Sequence, residues 1–278
     1  MPTLSSHYQR RIERFVRIQR RSKPNAVRVL AEGDSWFTHG HLMWSSKSLI
    51  GKLNDYATVN IVTVANPGAE LEEMVSARNR DWGLGTNPDW LGREQYDVVL
   101  FSGGGNDIVG SELKRYLHPG GGTREGIQLV NRTALNRTLD RMRNQYRTLR
   151  GTVDHFVGAA GRSVPIITHG YDYAFPSGEG LSLIGGLITA GPWILPSFKK
   201  KEIDDLDDQV LIVNFLVDQF NEMLADLASD DAAGIQDFHH MDLRGTLARE
   251  DWADELHPTS GGRDKLAAVI RRQIVTNV

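Results

Sequence analysis

The sequence predicts an α/β protein, built as a three-layer α/β/α sandwich around a mostly parallel central sheet of about five strands. Four apolar runs of strand length are continuous rather than alternating, as expected for strands buried on both faces of a parallel sheet. Helical patterns separate these runs, and strands that alternate with helices favour a doubly wound sheet. The 278 residues, 40% hydrophobic and 24% charged, suffice for one large domain of this class.

The hydrophobic patterns place the elements along the chain. Strands are predicted at 27–31, 59–65, 98–101 and 164–168, with a weaker fifth strand at about 235–238. Helices are predicted at 71–78, about 127–150, about 206–228 and about 262–277. Residues 27–278 are therefore expected to form a single domain.

The first 26 residues differ from this domain in charge. The segment is strongly basic from Arg10 to Lys23, and Phe15, Val16 and Ile18 lie among the arginines. This pattern predicts a short amphipathic helix within a basic segment, 1–26, that packs on or flanks the domain. Attachment to a membrane surface or to nucleic acid stays open as the alternative. No signal-peptide core follows it, so a cytoplasmic location is expected, with secretion still open.

A second segment, around 176–205, interrupts the alternation of strands and helices. Its apolar part, 181–198, contains three glycines and two prolines, which argue against a straight membrane-spanning helix. The preferred interpretation is a cap or lid over a site, and a buried structural excursion is the alternative. The apolar face of a lid would suit an acyl-bearing substrate.

Ser35 is the first candidate for chemistry. It follows the first predicted strand within the sequence Gly-Asp-Ser-Trp, a position that can display a nucleophile. A serine nucleophile needs a base, and the base needs a group that orients it. Asp254 and His257 are three residues apart, so they can pair locally and supply both functions.

Further polar groups follow the other strands at the same edge of the sheet, where ligands bind in open α/β folds. Gly68 follows the second strand and Asn106 follows the third. The backbone N–H groups of Ser35 and Gly68 and the side-chain amide of Asn106 are candidate donors to an oxyanion.

Another set of residues near these motifs is expected to line a substrate pocket: Trp36, Gly105, His169 and Asp172. For His169, which follows the fourth strand, a purely structural role is the slightly favoured alternative. Asp34 and Asp107 are interpreted as structural, each holding its loop through side-chain-to-backbone hydrogen bonds.

The composition of the chain excludes several kinds of functional site. The chain has no cysteine, which removes disulfides, thiolate metal ligands and cysteine nucleophiles. Its net charge of -3 implies no general attraction to nucleic acid. The pairs His39/His41 and His239/His240 are interpreted as solvent-exposed rather than as metal ligands. The glycine run 103–105 lacks the Gly-Lys-Ser/Thr of a phosphate loop.

The motifs, taken in order, resemble those of the SGNH hydrolases, the GDSL-like esterases and lipases. The sequence 33–35 is similar to the family's first block, with Trp36 where leucine is common. Gly68 is similar to the glycine of the second block, and 104–107 to the G-x-N-D of the third. The sequence 254–257 is similar to the D-x-x-H of the fifth block.

This resemblance implies the SGNH/flavodoxin-like version of the α/β sandwich and a role for each matching residue. Ser35 would be the nucleophile, His257 the base and Asp254 the group that orients it. Ser35, Gly68 and Asn106 would form the oxyanion hole.

The sequence therefore predicts a serine esterase or lipase that hydrolyses a carboxylic ester through an acyl-enzyme, with no metal or cofactor. The apolar stretch 181–198 tilts the expected substrate modestly toward a lipid or acyl ester. Two alternatives stay open: a catalytically mute binding or partner-recruiting module of the same fold, and an acyltransferase. Expected partners are a small-molecule or lipid ester and no nucleic acid, with peripheral membrane contact left open.

Overall fold

A parallel sheet lies at the centre of the computed structural model, which describes residues 22–39, 47–75, 96–110, 112–156, 163–183, 188–229, 231 and 234–278. In chain order the strands are β1 (Val27–Gly33), β2 (Val59–Thr63), β3 (Val98–Ser102), β4 (Ile166–His169), β5 (Leu181–Leu183), β6 (Ile188–Ala190) and β7 (Phe238–Met241). Strands β5 and β6 pair as an antiparallel hairpin, and the others form one parallel sheet in the order β2-β1-β3-β4-β7. The predicted five-stranded parallel sheet is confirmed.

The strand ends follow from local chemistry. Every residue of β3 is buried, as the continuous apolar pattern predicts. Strand β4 begins at Ile166 rather than at 164, since Pro165 has no N–H to donate to a neighbouring strand. The fifth strand lies three residues further along than predicted, at Phe238–Met241, where it pairs with β4.

Helices cover both faces of the sheet. In chain order they are α1 (Ser35–Thr38), α2 (Leu49–Leu53), α3 (Leu71–Val75), α4 (Gly105–Val109), α5 (Arg132–Phe156), α6 (Leu195–Lys200), α7 (Leu206–Leu227) and α8 (Ser260–Thr276). Helix α8 packs against α2, whereas α5 packs against α3 and α7. The result is the expected α/β/α sandwich.

The long helix α5 begins later than its hydrophobic pattern predicts. The prediction of a helix from about 127 is wrong, because Gly126–Leu129 forms a separate 3₁₀ turn. Asn131 precedes the helix, and its side-chain oxygen accepts a hydrogen bond from the N–H of Ala134 at 3.1 Å. A side-chain acceptor of this kind replaces a missing intrahelical partner and fixes the start of α5.

Some of the predicted features lie outside the residues that the structure describes. Residues 1–21 of the basic segment, His41 and the end of the helix predicted at 71–78 lie outside the described residues. In the 176–205 segment, Ile194 and Phe198 are buried in the core. Among the helices that the structure describes, none combines the length and apolarity that a membrane span requires.

Candidate active site

Ser35, His257 and Asp254 form a continuous chain of hydrogen bonds. The Oγ atom of Ser35 lies 2.9 Å from Nε2 of His257. On the other side of the ring, Nδ1 lies 2.9 Å from both carboxylate oxygens of Asp254. Ser35 and His257 are 222 positions apart, so the fold brings this pair together.

The Asp254 carboxylate is held in its charged form. Burial opposes ionisation, but hydrogen bonding and charge from His257, with the N–H groups of Leu256 and His257, keep the pKa of Asp254 below its usual value. Both N–H groups donate to Oδ1 at 2.8 Å. A fixed carboxylate at Nδ1 leaves the lone pair of Nε2 directed at the serine hydroxyl.

Asp34 ties together the ends of three strands. Its Oδ1 accepts hydrogen bonds from the N–H of Trp36 at 3.0 Å and from the hydroxyl of Ser102 at 3.0 Å. Its Oδ2 accepts a hydrogen bond from the hydroxyl of Tyr171. Desolvation in this fully buried position raises the pKa of Asp34. These bonds fix the turn that carries Ser35 against the loops that follow β3 and β4.

Gly33 allows the turn to approach β3 closely. A Cβ atom at this position would lie 2.7 Å from Cβ of Ser102 and 2.8 Å from its carbonyl oxygen. Since real side chains do not tolerate such distances, only glycine fits between β1 and β3 here.

Asn106 and Asp107 join the third motif to the second. The side-chain amide of Asn106 donates to the carbonyl oxygen of Ala69 at 3.0 Å. The carboxylate of Asp107 accepts from the N–H of Leu71 at 2.9 Å. The loop that contains Gly68 is therefore fastened beside Asn106.

Among the described residues, each of the three predicted oxyanion donors keeps an N–H group that no protein acceptor takes. The Asn106 amide keeps a second N–H after its bond to Ala69. In the described part of the chain, the backbone N–H groups of Ser35 and Gly68 donate to no other protein group. Gly68 has a φ of 77°, a left-handed conformation that glycine adopts readily.

Trp36 forms one wall of a small pocket beside Ser35. Its indole N–H donates to the carbonyl oxygen of Leu256 at 2.8 Å, which links the first motif to the loop of the base. The apolar lining of the pocket consists of Trp36, Val109, Tyr171, Ala174, Val217, Trp252 and Leu256. Gly105 and Asn106 border the same space.

Two of the predicted pocket residues have different surroundings. His169 is fully buried and does not border the pocket, so its surroundings agree with the structural role rather than with a lining role. It stacks beneath Trp36, with 5.5 Å between ring centroids. Asp172 does border the pocket, but its carboxylate accepts backbone hydrogen bonds from Tyr173, Gly245 and Leu247 at 2.7 Å.

His39 is also placed differently from its prediction. It is half-buried rather than solvent-exposed, because its ring stacks on that of His257 at a centroid distance of 4.2 Å and an angle of 9°. Burial, followed by the charge of His257, lowers the pKa of His39 to about 4. A neutral ring therefore covers one face of the candidate base at neutral pH.

His39, Asp254 and His257 offer ligand atoms within 4.8 Å of one another, a spacing that a metal ion could use. However, imidazole lone pairs lie in the ring plane. Those of two parallel stacked rings cannot converge on one cation at normal bond lengths of about 2 Å. The observed geometry suits proton transfer rather than metal coordination.

The second predicted pair of exposed histidines is also more enclosed than expected. His239 and His240 are both half-buried. Nε2 of His240 lies 3.1 Å from the side-chain oxygen of Asn221. Burial lowers the pKa of His240 to about 4. The prediction of solvent exposure is wrong for both residues.

Glu255, between Asp254 and His257, fastens the 176–205 segment to the site. Its buried carboxylate accepts four backbone hydrogen bonds of 2.5–3.0 Å, from Gly178, Trp193, Ile194 and Leu195. Trp193 in turn meets the ring of His257 edge-on, with 5.2 Å between centroids. Sequence reasoning missed Glu255, Trp193 and His39, because no local pattern marks a residue whose partners lie far along the chain.

Comparison with known proteins gives the fold of this chain. No protein-family model and no curated protein sequence matches it. A lipase from a goat rumen metagenome is similar in structure, with a TM-score of 0.56 at 15% identity over 89% of this chain and 97% of the lipase. This chain has the fold of the GDSL-like lipases and esterases.

Other solved structures show the same likeness at greater distance. A gut microbial diltiazem-metabolizing enzyme has a TM-score of 0.50 at 12% identity, over 90% of this chain but 47% of the enzyme. A lipolytic protein described as putative, of the G-D-S-L family from Desulfitobacterium hafniense, has a TM-score of 0.47 at 12% identity, over 88% and 98% of the two chains. In this chain the parallel pairing of β1, β3 and β4 places their ends at the edge that carries Ser35.

Proposed function

We propose that the protein is a serine esterase that cleaves carboxylic esters through an acyl-enzyme. The observation that carries the proposal is the chain of 2.9 Å contacts from Ser35 through His257 to Asp254. A hydroxyl, an imidazole and a buried carboxylate in this order are the components of nucleophilic acyl transfer.

The first half of the reaction forms the acyl-enzyme. Ser35 Oγ attacks the ester carbonyl carbon as its proton passes to Nε2 of His257. The carbonyl oxygen becomes an oxyanion, for which Asn106 and the N–H groups of Ser35 and Gly68 are the donors. When the intermediate collapses, His257 gives the proton to the leaving alcohol oxygen.

The second half releases the acid. Water attacks the acyl-enzyme and passes a proton to His257, and the second tetrahedral intermediate expels Ser35 Oγ, which takes that proton back. Asp254 stays ionised throughout and stabilises the imidazolium that forms in each half. An alcohol in place of water would give acyl transfer, so product analysis with alcohol acceptors separates the two outcomes.

Replacing Ser35 with alanine tests the proposal. The purified wild type should hydrolyse p-nitrophenyl acetate, and Ser35→Ala should lose at least about 10³-fold in kcat, because the acyl-enzyme can no longer form. Circular dichroism should show that the variant is folded. Equal rates for the two proteins would contradict the proposal.

A further inference from the structure

His39 contacts both the candidate nucleophile and the candidate base. It follows the short helix α1, and residues at an i, i+4 spacing, such as Ser35 and His39, lie on the same side of a helical turn. Its backbone N–H donates to the carbonyl oxygen of Ser35 at 2.6 Å. Its ring lies parallel to that of His257, with 4.2 Å between centroids. The side chain that covers the base is therefore anchored directly to the nucleophile.

The hydrogen bonds of His257 leave one movement of its ring weakly opposed. Ser35 Oγ lies at Nε2 and the Asp254 carboxylate lies at Nδ1. These contacts fix the ring along the line between its two nitrogen atoms. They resist a small tilt about that line only weakly, because a hydrogen bond weakens steeply only below about 120°. A second ring, stacked at an angle of 9°, blocks the tilt on the side that it covers.

The covering ring carries no charge at neutral pH. Among the described residues, the charged or titratable groups that act on His39 are His257, Asp254 and Arg263. Burial is the largest effect and, with the charges of His257 and Arg263, it outweighs Asp254 and lowers the pKa of His39 to about 4. A flat ring can therefore contact the base without opposing the imidazolium that forms during acyl transfer.

We propose that His39 is a positioning residue, whose ring holds the imidazole of His257 in the plane that proton transfer between Ser35 and His257 requires. The inference rests on the proposed function, because it concerns the base of that reaction. It requires a flat and uncharged group at position 39. His39 does not border the pocket beside Ser35, so the effect belongs in kcat rather than in KM.

Two substitutions test the need for a flat group. His39→Ala removes the ring and should lower kcat for p-nitrophenyl acetate about tenfold, since small misplacements of a reacting group can cost up to about 10²-fold. KM should change less than about twofold, because uniform binding is not affected. His39→Phe restores a flat, uncharged ring and should recover most of the lost kcat. Circular dichroism should show that both variants are folded.

His39→Arg tests the need for an uncharged group. The guanidinium is planar and can stack, but it brings a positive charge next to the base. This charge opposes protonation of His257, so the acid limb of the kcat/KM profile should move to lower pH by about one unit. His39→Phe should not move it. His155→Arg is the matched control, because it adds the same charge at an exposed position in the last turn of α5.

NMR titration of the His257 ring gives the same comparison without a substrate. The signal is assigned by its absence from His257→Gln. Its titration midpoint should be about one unit lower in His39→Arg than in the wild type or His155→Arg. This readout depends on the contact between the two rings and would not respond to a general loss of stability.

The outcomes separate this inference from the proposed function. Equal titration midpoints in the wild type and His39→Arg would overturn the role of His39 and leave the esterase function intact. A folded His39→Ala with the kcat of the wild type, or a His39→Phe as slow as His39→Ala, would do the same. A wild type that hydrolyses no ester would overturn the proposed function, and with it the catalytic purpose of the stacked ring.

Discussion

At the scale of single residues, the site depends on how His257 is held. Asp254 fixes one edge of the ring, His39 covers a face, and Trp193 meets the ring edge-on. His39 stays neutral because burial lowers its pKa to about 4. A neutral neighbour matters, since a second positive charge at this distance would oppose the imidazolium that acyl transfer requires.

The buried histidines make stability depend on pH. Burial lowers the pKa of His169 to about 4, whereas an unfolded histidine titrates near 6.5. Between these values the unfolded state binds more protons, so the folded state loses stability as pH falls from 6.5 toward 4. The lowered pKa values of His39 and His240 also reduce the stability of the folded state as pH falls.

We expect His169 alone to lower the free energy of unfolding by about 2 kcal/mol between pH 7 and pH 5. Urea unfolding at both pH values measures this change. His169→Gln cannot take up a proton in this range, so its loss between the two pH values should be smaller by that amount. Identical losses in the wild type and the variant would show that His169 titrates normally in the folded protein.

At the scale of elements, the 176–205 segment is fastened to the loop of the base through Glu255. One carboxylate accepts four backbone N–H groups from Gly178 and from 193–195. Those N–H groups lie outside any long helix or strand of the sheet, so the carboxylate replaces the partners that regular structure would supply. The segment and the candidate base therefore share one support.

Replacing Glu255 with glutamine should weaken that support. The side-chain NH₂ cannot accept hydrogen bonds and would face N–H donors, so we expect a loss of about 2–3 kcal/mol in the free energy of unfolding. Acylation of Ser35 should also slow, because Trp193 and His257 lose their common anchor. Urea unfolding and the rate of p-nitrophenyl acetate hydrolysis measure the two effects.

Glu179→Gln is the control for this substitution, because Glu179 is exposed and lies next to Gly178 in the same segment. It should leave stability and rate unchanged. If Glu255→Gln behaved like Glu179→Gln, the four hydrogen bonds would not be what holds the segment.

At the scale of the whole molecule, the parallel sheet brings distant parts of the chain to one edge. Gly33 pairs with Ser102 across β1 and β3, and His169 pairs with Met241 across β4 and β7. The residues that follow these strands are neighbours in space although they are tens of positions apart. The order of the strands in the sheet therefore determines which residues meet at the site.

The positions of the strands and of the motifs along the chain could be predicted from the sequence because both leave local patterns. Continuous apolar runs mark β1 and β3, and the spacing of Asp254 and His257 allows them to pair locally. The burial of His39 and the four bonds of Glu255 leave no such pattern, since their partners are fixed only by the folded chain. The same reason left both a pocket role and a structural role open for His169, since strand-end position does not tell which side of Trp36 a side chain occupies.

Covalent labelling by a fluorophosphonate probe tests the central claim, that Ser35 is a nucleophile activated by His257 and Asp254, most directly. Mass spectrometry of the wild type should show one adduct, located by peptide mapping on Ser35. The adduct should be absent from Ser35→Ala, and it should form at least about 10²-fold more slowly in Asp254→Asn. A folded wild type that does not react, or an adduct on another residue, would contradict the account.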